Sequence, residues 1–453
     1  MRSYSCSVAE SKTAQTDMKY NSLTERHDFA SLGNEMYALA ARLFPICRSI
    51  TGDGLRQTLK EIAHSIPLQL FEVPSGTQAL DWTVPQEWNI RDGYIADLTG
   101  KRLVDFRVNN LQVVNYSVSI KKRMTLDELK PHLHSLPDRP DWIPYRTSYY
   151  NPTWGFCLSH NQLLDLKDAE YDVCIDSTLA DGSLTYGEYV IPGSSTDEIL
   201  ISCHCCHPSL ANDNLSGIAL ATALAKIISS VPRRLSYRFL FAPGTIGAIT
   251  WLSRNETVVP RIKGGLVVAC VGDAGDFYYK QSRQGESELD RAVEYVLKQS
   301  GRPYHVRPFT PYGYDERQYC SPGYNLAVGS LTRTYHGQYP QYHTSADNLD
   351  FISAGALAGS LSVYLEIVNV LEHNVRYQNL NPKGEPQLGR RGLYRALGGL
   401  PDAGQQEMAL LWILNLADTT RTLLEMAERS SIPFVTLAQA AAKLEEFALL
   451  KQC

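Results

Sequence analysis

Between Glu198 and Gly272 the chain reads as three short, largely apolar runs, "EILISCH", "LSYRFLFA" and "GGLVVACVG". Two segments with helical spacing, "GIALATALAKIISS" and "IGAITWLSRNE", separate them. Strands without a polar face must be covered on both sides, and strand–helix alternation predicts an α/β fold: a mostly parallel mixed sheet with helices on both faces. In such sheets ligands bind beyond the carboxyl ends of the strands. His204 ends the first run, Gly244 and Thr245 follow the second, and Asp273 follows the third.

The rest of the chain divides around this core. Residues 1–30 are polar and expected to be disordered; "EMYALAARLFPICRSI" and "GDGLRQTLKEIAHSI" then carry helical periodicity. Residues 73–154, with short alternating runs broken by Pro, Asn-Asn and Gly, read as an inserted β-rich module. The core is expected over 31–72 and 155–385, with "YDVCIDSTL" and "SLTYGEYVIPG" among its strands. Residues 386–453 read as three helices, capped at Asp418 or Thr419 and at the "SSIP" turn, then a tail strand, the order of a winged helix.

A net charge of -5 with both signs interspersed points to neither a nucleic-acid nor a membrane partner. Uninterrupted apolar runs fall far short of the ~20 residues of a spanning helix, and the N-terminus has no apolar signal segment, so a cytoplasmic location is expected. The ten cysteines, scattered along a chain without export signals, are expected to be reduced.

Chemistry concentrates in "SCHCCHPSLANDNLSG", Ser202–Gly217. Catalytic zinc takes three protein ligands and leaves a position for water. The candidates in chain order are His204, Asp213, Asp273 and His343, with His207 as a further ligand or a donor behind one. Singly each has a structural alternative: a strand-end histidine fixing a turn, or Asp213 as a helix N-cap. A structural site built on Cys203, Cys205 and Cys206 is disfavoured, because alternate positions on a strand face away from His204 and no distant Cys-x-x-Cys pair completes it.

From about Ser159 to Asn374 the chain resembles the zinc aminopeptidases of the bacterial leucyl aminopeptidase and glutamate carboxypeptidase kind, carried by "ANDNLSG" and "YHTSADNLD". "HPSLANDNLSG", "DERQYCSPG" and "DWTVP" resemble more closely an aminopeptidase-like family with an inserted β-rich module and a C-terminal winged helix. The resemblance implies that His204 and Asp273 hold one zinc, that Asp213 bridges and that His343 holds a second. It also implies a Glu-Glu pair after the second strand, and here the chain departs, with Gly244 and Thr245 instead. One zinc is therefore expected, with the general base supplied from elsewhere.

The substitute is sought in "PYGYDERQYCSPGYN": Asp315 or Glu316 as base, with Arg317 to pair with a substrate carboxylate and Tyr342 in "YPQYHTSADNLD" to contact substrate. The reading is a zinc-dependent hydrolase of a peptide or amide bond in a small aminoacylated or N-acylated compound or short peptide. The rivals are a hydrolase fold that only binds its ligand and a regulator that contacts DNA. "AQAAAKLEEFALL" has few cations for a recognition helix, so the tail is expected to serve packing or homo-oligomer formation.

Overall fold

The computed structural model describes residues 27–393 and 403–453, which form two compact units, 27–372 and 373–453. Most of the stretch expected to be disordered, residues 1–26, lies outside the described residues; at its end α1 (Phe29–Leu43) already begins, capped by Asp28, whose carboxylate accepts from the Ala30 and Ser31 N–H groups. α2 spans Asp53–Ala63.

The large unit is built on an eight-stranded sheet of β1 (Gln69–Pro74), β2 (Ser183–Ile191), β3 (Glu198–His204), β4 (Ser236–Ala242), β5 (Ile262–Val268), β6 (Phe277–Lys280), β7 (Tyr304–Arg307) and β8 (Val328–Thr332), in the order β1-β2-β4-β3-β5-β8-β6-β7. The central pairings β4/β3, β3/β5 and β5/β8 are parallel. The flanking pairs β1/β2, β2/β4 and β8/β6 are antiparallel. This is the mixed sheet the alternation predicts. Every residue of β3 and β4 is buried, the reason these runs lack a polar face. The chain goes from β3 through α3 (Gly217–Ser229) to β4 on one side, then through α4 (Ile246–Arg254) to β5 on the other. The strand order therefore reverses at the carboxyl end of β3, the point where sheets of this kind bind their ligands.

α1 packs on α3 and approaches α6 (Ala354–His373) so closely that a Cβ at Gly33 would stand 2.3 Å from the Ala354 carbonyl oxygen. Among the described residues α6 is the one helix that by length and a mean hydropathy of 1.5 could cross a bilayer, although polar residues interrupt its apolar run. Its apolar window is 72% buried within the protein, so core packing accounts for that composition.

The chain leaves the main sheet at Pro74 and returns at Ser183, the two residues lying opposite each other in register. Between them is a four-stranded antiparallel sheet in the order 102–105, 87–96, 170–180, 120–125. The run "YDVCIDSTL", expected in the main sheet, lies here. Its buried residues, Tyr171, Val173 and Ile175, join Ile95, Val104, Met124 and Phe156 in a core of the module's own. Alternation reveals a half-buried strand but not which sheet it joins.

In the small unit, helices Ala403–Leu416, Leu423–Ser430 and Phe434–Glu446 accompany strands Arg376–Asn379, Asp418–Thr422 and Leu450–Gln452. Three helices and a tail strand match the sequence reading, but the cap does not fall at Asp418 or Thr419, which lie in a strand. Thr422 caps the second helix through a reciprocal pair with Glu425.

One buried charge network braces the sheet. Arg238 on β4 donates from Nε to Glu198 on β3 at 2.6 Å and lies 2.6 Å from Glu188 on β2. Arg238→Met would leave the buried Glu198 to the more exposed Arg261 and Glu188 to the Trp251 indole N–H. A loss of about 3 kcal/mol is expected, measured as a lower urea midpoint for the large unit's transition.

Candidate metal centre

His204 closes β3 at the point where the strand order reverses. Its Nε2 lies 2.8 Å from Asp213 Oδ1. His343 Nε2 lies 3.0 Å from the other oxygen, Oδ2, and His207 Nε2 lies 3.9 Å from that same oxygen. Three imidazoles thus surround one carboxylate whose residue is 0% exposed.

The backbone that delivers these groups is irregular and heavily tied. Residues 211–216 make a turn before α3 in which Asp213 and Asn214 leave helical φ/ψ, and Ser216 is the N-cap, so Asp213 does not cap the helix. Asp347 holds the turn: Oδ1 accepts from the Asn212 N–H at 2.6 Å and Oδ2 from the Asp213 N–H at 3.0 Å. Asn214 Nδ2 donates to the carbonyls of His204 at 3.2 Å and Val268 at 3.0 Å, joining the ends of β3 and β5. Arg48, wholly buried, donates from Nε to the His207 carbonyl at 2.9 Å. His343 sits at φ 55, in the left-handed region. Its carbonyl accepts from the Tyr145 N–H at 2.8 Å, and the Ser345 N–H donates to Ile143 at 2.8 Å, so the module's 143–145 segment pairs with the His343 loop.

Asp273 is placed differently from the expectation. Its Oδ2 accepts from Asn212 Nδ2 at 2.9 Å, and Oδ1 from Thr334 Oγ1 and the Gly275 N–H at 2.7 Å each. Among the described residues the trio whose donor atoms lie within 4.8 Å of one another is His204, His207 and Asp213.

The electrostatics suit a cation. Burial pushes His207 down to about 3, leaving a neutral ring with a free lone pair. Burial works against the ionised form of Asp213, but the hydrogen bond and positive charge of His204 and the hydrogen bond from His343 hold it well below the usual carboxylate range. Burial would depress His204, yet its hydrogen bond to Asp213 and that carboxylate's charge hold it above its ordinary value, so a metal would displace a proton there. Two imidazoles and a carboxylate, their donor atoms within 4.8 Å of one another, are a donor set that fits zinc. The cysteines are not part of it. Burial pushes the Cys203 and Cys205 thiols well up and Cys206 to about 12. Cys203 Sγ accepts from Asn214 Nδ2 and Cys206 Sγ from the Gly244 N–H.

Beyond β4, where the resemblance implies two glutamates, Thr245 adopts φ 61 and ψ -75, unusual for a β-branched residue. Its N–H donates to Asp315 Oδ1 at 2.6 Å, and its Oγ1 accepts from Arg317 Nη2 at 3.3 Å. The "DER" segment therefore meets the strand end that lacks a carboxylate. Its two acids differ: Asp315 is pushed up to about 6, by burial first, against the pull of His204. Glu316 is committed to a buried ion pair with Lys280 at 2.7 Å. Tyrosines wall the histidines: Tyr314 stacks on His204, Tyr342 stacks on His343 with centroids 4.0 Å apart, and Tyr145 meets both His207 and His343 at 5.2 Å. Reading the sequence missed Asp347, Tyr145, Tyr314 and Arg48. Only Asp347 carried a signal, as the acid of "HTSAD".

A family model described as "Domain of unknown function (DUF4910)" matches residues 37–374, and a winged helix-turn-helix model matches 375–452. A Clostridium acetobutylicum protein named "Putative polysaccharide biosynthesis protein with aminopeptidase-like domain" is 53% identical over 419 residues, covering 92% of this chain and 96% of its own. A crystal structure of a "putative peptidase" from that organism superposes with a TM-score of 0.89 at 51% identity, over 94% of this chain and 97% of that one. The zinc aminopeptidase BSAP of Bacillus subtilis shares the fold at 14% identity, with a TM-score of 0.54 over 74% of this chain and 94% of its own.

The metal assignment has a direct test. Replacing Cys203, Cys205 and Cys206 together by Ala is expected to leave zinc content, measured by elemental mass spectrometry, near that of the natural protein. His204→Ala or Asp213→Ala is expected to lose most of it. The reverse pattern would move the site to the thiols.

Proposed function

The chain belongs to the DUF4910 family, and on that footing we propose that it is a zinc-dependent hydrolase of a peptide or amide bond in a small aminoacylated or N-acylated compound. The observation that carries this reading is the buried Asp213 carboxylate facing three histidines at the strand-order reversal. Its aminopeptidase fold and the names of its relatives support it; a relative named for polysaccharide biosynthesis favours a metabolite over a protein substrate.

His204, His207 and Asp213 would hold one zinc, with His343 closing the far side of the carboxylate. When bound, zinc polarises a carbonyl and lowers the pKa of water to ~7. The protein's own part begins with Asp315. Ionised above about 6 and anchored by the Thr245 N–H, it takes the proton from the attacking water. Glu316 is excluded from that role by Lys280, so of the two acids Asp315 is the base. Arg317, placed at the same strand end by its bond to Thr245 Oγ1, pairs with a carboxylate on the substrate. Tyr342, held against His343, keeps its proton because burial raises it, and so offers a hydroxyl donor to the carbonyl oxygen. No nucleic acid enters this reading: helix Phe434–Glu446 carries one cation, Lys443, beside Glu446 and Phe447.

Hydrolysis of aminoacyl amides, followed by chromatography, tests the proposal. Asp315→Asn is expected to cut kcat by ~10² to 10⁴ and to remove an acidic limb near pH 6, since the base works only when deprotonated. Glu316→Gln is expected to act mainly on stability, by leaving Lys280 buried without its counter-charge. If the natural protein is silent and Gly244→Glu gains metal-dependent activity, the chain is instead a binding protein. That substitution has room, because a Cβ at Gly244 meets only Cys206 Sγ at 3.6 Å and His204 Cβ at 3.7 Å.

A further inference from the structure

His207 is the least secured of the three imidazoles around Asp213. His204 and His343 each bond that carboxylate, at 2.8 and 3.0 Å. His207 Nε2, at 3.9 Å, lies beyond hydrogen-bond reach of it. A metal-binding histidine ordinarily donates its other ring N–H to a carboxylate or a carbonyl, which fixes the ring. The other nitrogen of His207, Nδ1, faces a sulfur instead, Cys206 Sγ at 3.4 Å. With neither nitrogen firmly held, the ring takes its place from its backbone.

Arg48 supplies that hold. It lies in the connection between α1 and α2, is 0% exposed, and donates from Nε to the His207 carbonyl at 2.9 Å. Among the described residues this is the one hydrogen bond to the His207 main chain. From Nη1 the same guanidinium donates to the carbonyl of Leu43, the last residue of α1, at 2.7 Å and reaches Thr58 Oγ1 on α2 at 3.5 Å. Asn115 Nδ2 fixes Arg48 in turn, donating to its carbonyl at 3.0 Å. None of these partners is a carboxylate, and Nη2 is buried without any partner. A buried cation without a counter-charge is costly, and capping α1 alone needs no charge, because water or backbone can meet a terminal carbonyl. The rigid fork of a guanidinium lets one side chain hold two carbonyls on separate elements.

We infer that Arg48 is the positioning residue of His207: its bond to the His207 carbonyl sets that imidazole within reach of the metal that His204 and Asp213 would hold. This role deepens the zinc reading and rests on it. It gives the metal centre a support outside the 202–217 stretch, in the chain between α1 and α2.

Cobalt(II) tests the role, because its visible absorption reports the ligands around it. The metal-free full chain is titrated with cobalt(II) beside Arg48→Met, His207→Ala and the double variant. Arg48→Met is expected to bind ~10- to 100-fold more weakly, with the absorption spectrum of His207→Ala. The double variant is expected to bind as His207→Ala does, since both changes remove one and the same ligand. A merely structural Arg48 would lower the melting temperature and leave the spectrum of the folded protein unchanged. Arg48→Lys keeps the charge without the fork; the same loss is expected in it, which keeps the test open should Arg48→Met fail to fold. Natural affinity and spectrum in either folded variant, or losses that add in the double variant, would overturn the role of Arg48 and leave the metal site standing. A natural chain that binds no cobalt would overturn both.

Discussion

The structure turns on keeping one carboxylate ionised out of reach of water. Moving a carboxylate inside a protein costs several kcal/mol even after relaxation, so donors must converge on Asp213 from several directions. β3 supplies His204, the turn after it His207, and a loop some 130 residues later His343. Asp347 then fixes the backbone on which Asp213 stands. Asp347 is itself pushed up to about 8, by burial first and then by the charge of Asp213, though its two N–H donors pull the other way.

That arrangement leaves the neighbouring strand end free to change. Gly244 and Thr245 contribute no acid, and the strained Thr245 presents its N–H to a carboxylate carried by a different element. That carboxylate, Asp315, stands at the start of a short helix, Glu316–Tyr319, and meets the strand end from the other side.

The sequence made legible what depends on local pattern. Full burial of β3 and β4 produced apolar runs, and the strand ends located His204 and the Gly244–Thr245 gap. Pairing was not legible. Nothing in "DER" distinguishes Asp315 from Glu316, because the distinction is made by Lys280, 36 residues upstream. Asp273 follows a strand as expected, but whether its carboxylate turns to the histidines or to Asn212 and Thr334 is a matter of tertiary packing. Tyr145 lies in the module and was hidden among 26 tyrosines. The Thr422 cap was mislocated because Asp418 and Thr419 offer the same local chemistry in a strand.

An appended module normally swings relative to its host unless something prevents it. Here the chain enters and leaves through adjacent residues, Pro74 and Ser183, which alone would make a hinge. Trp88 and Tyr116 anchor the module in the main core, Asn115 bonds to Ser49 and Arg48, and Tyr145 and Ile143 bond to the His343 loop, so the module is a beam clamped along its length. A load on the module is then carried into the loop that holds His343, and stiffness in one is stiffness in the other.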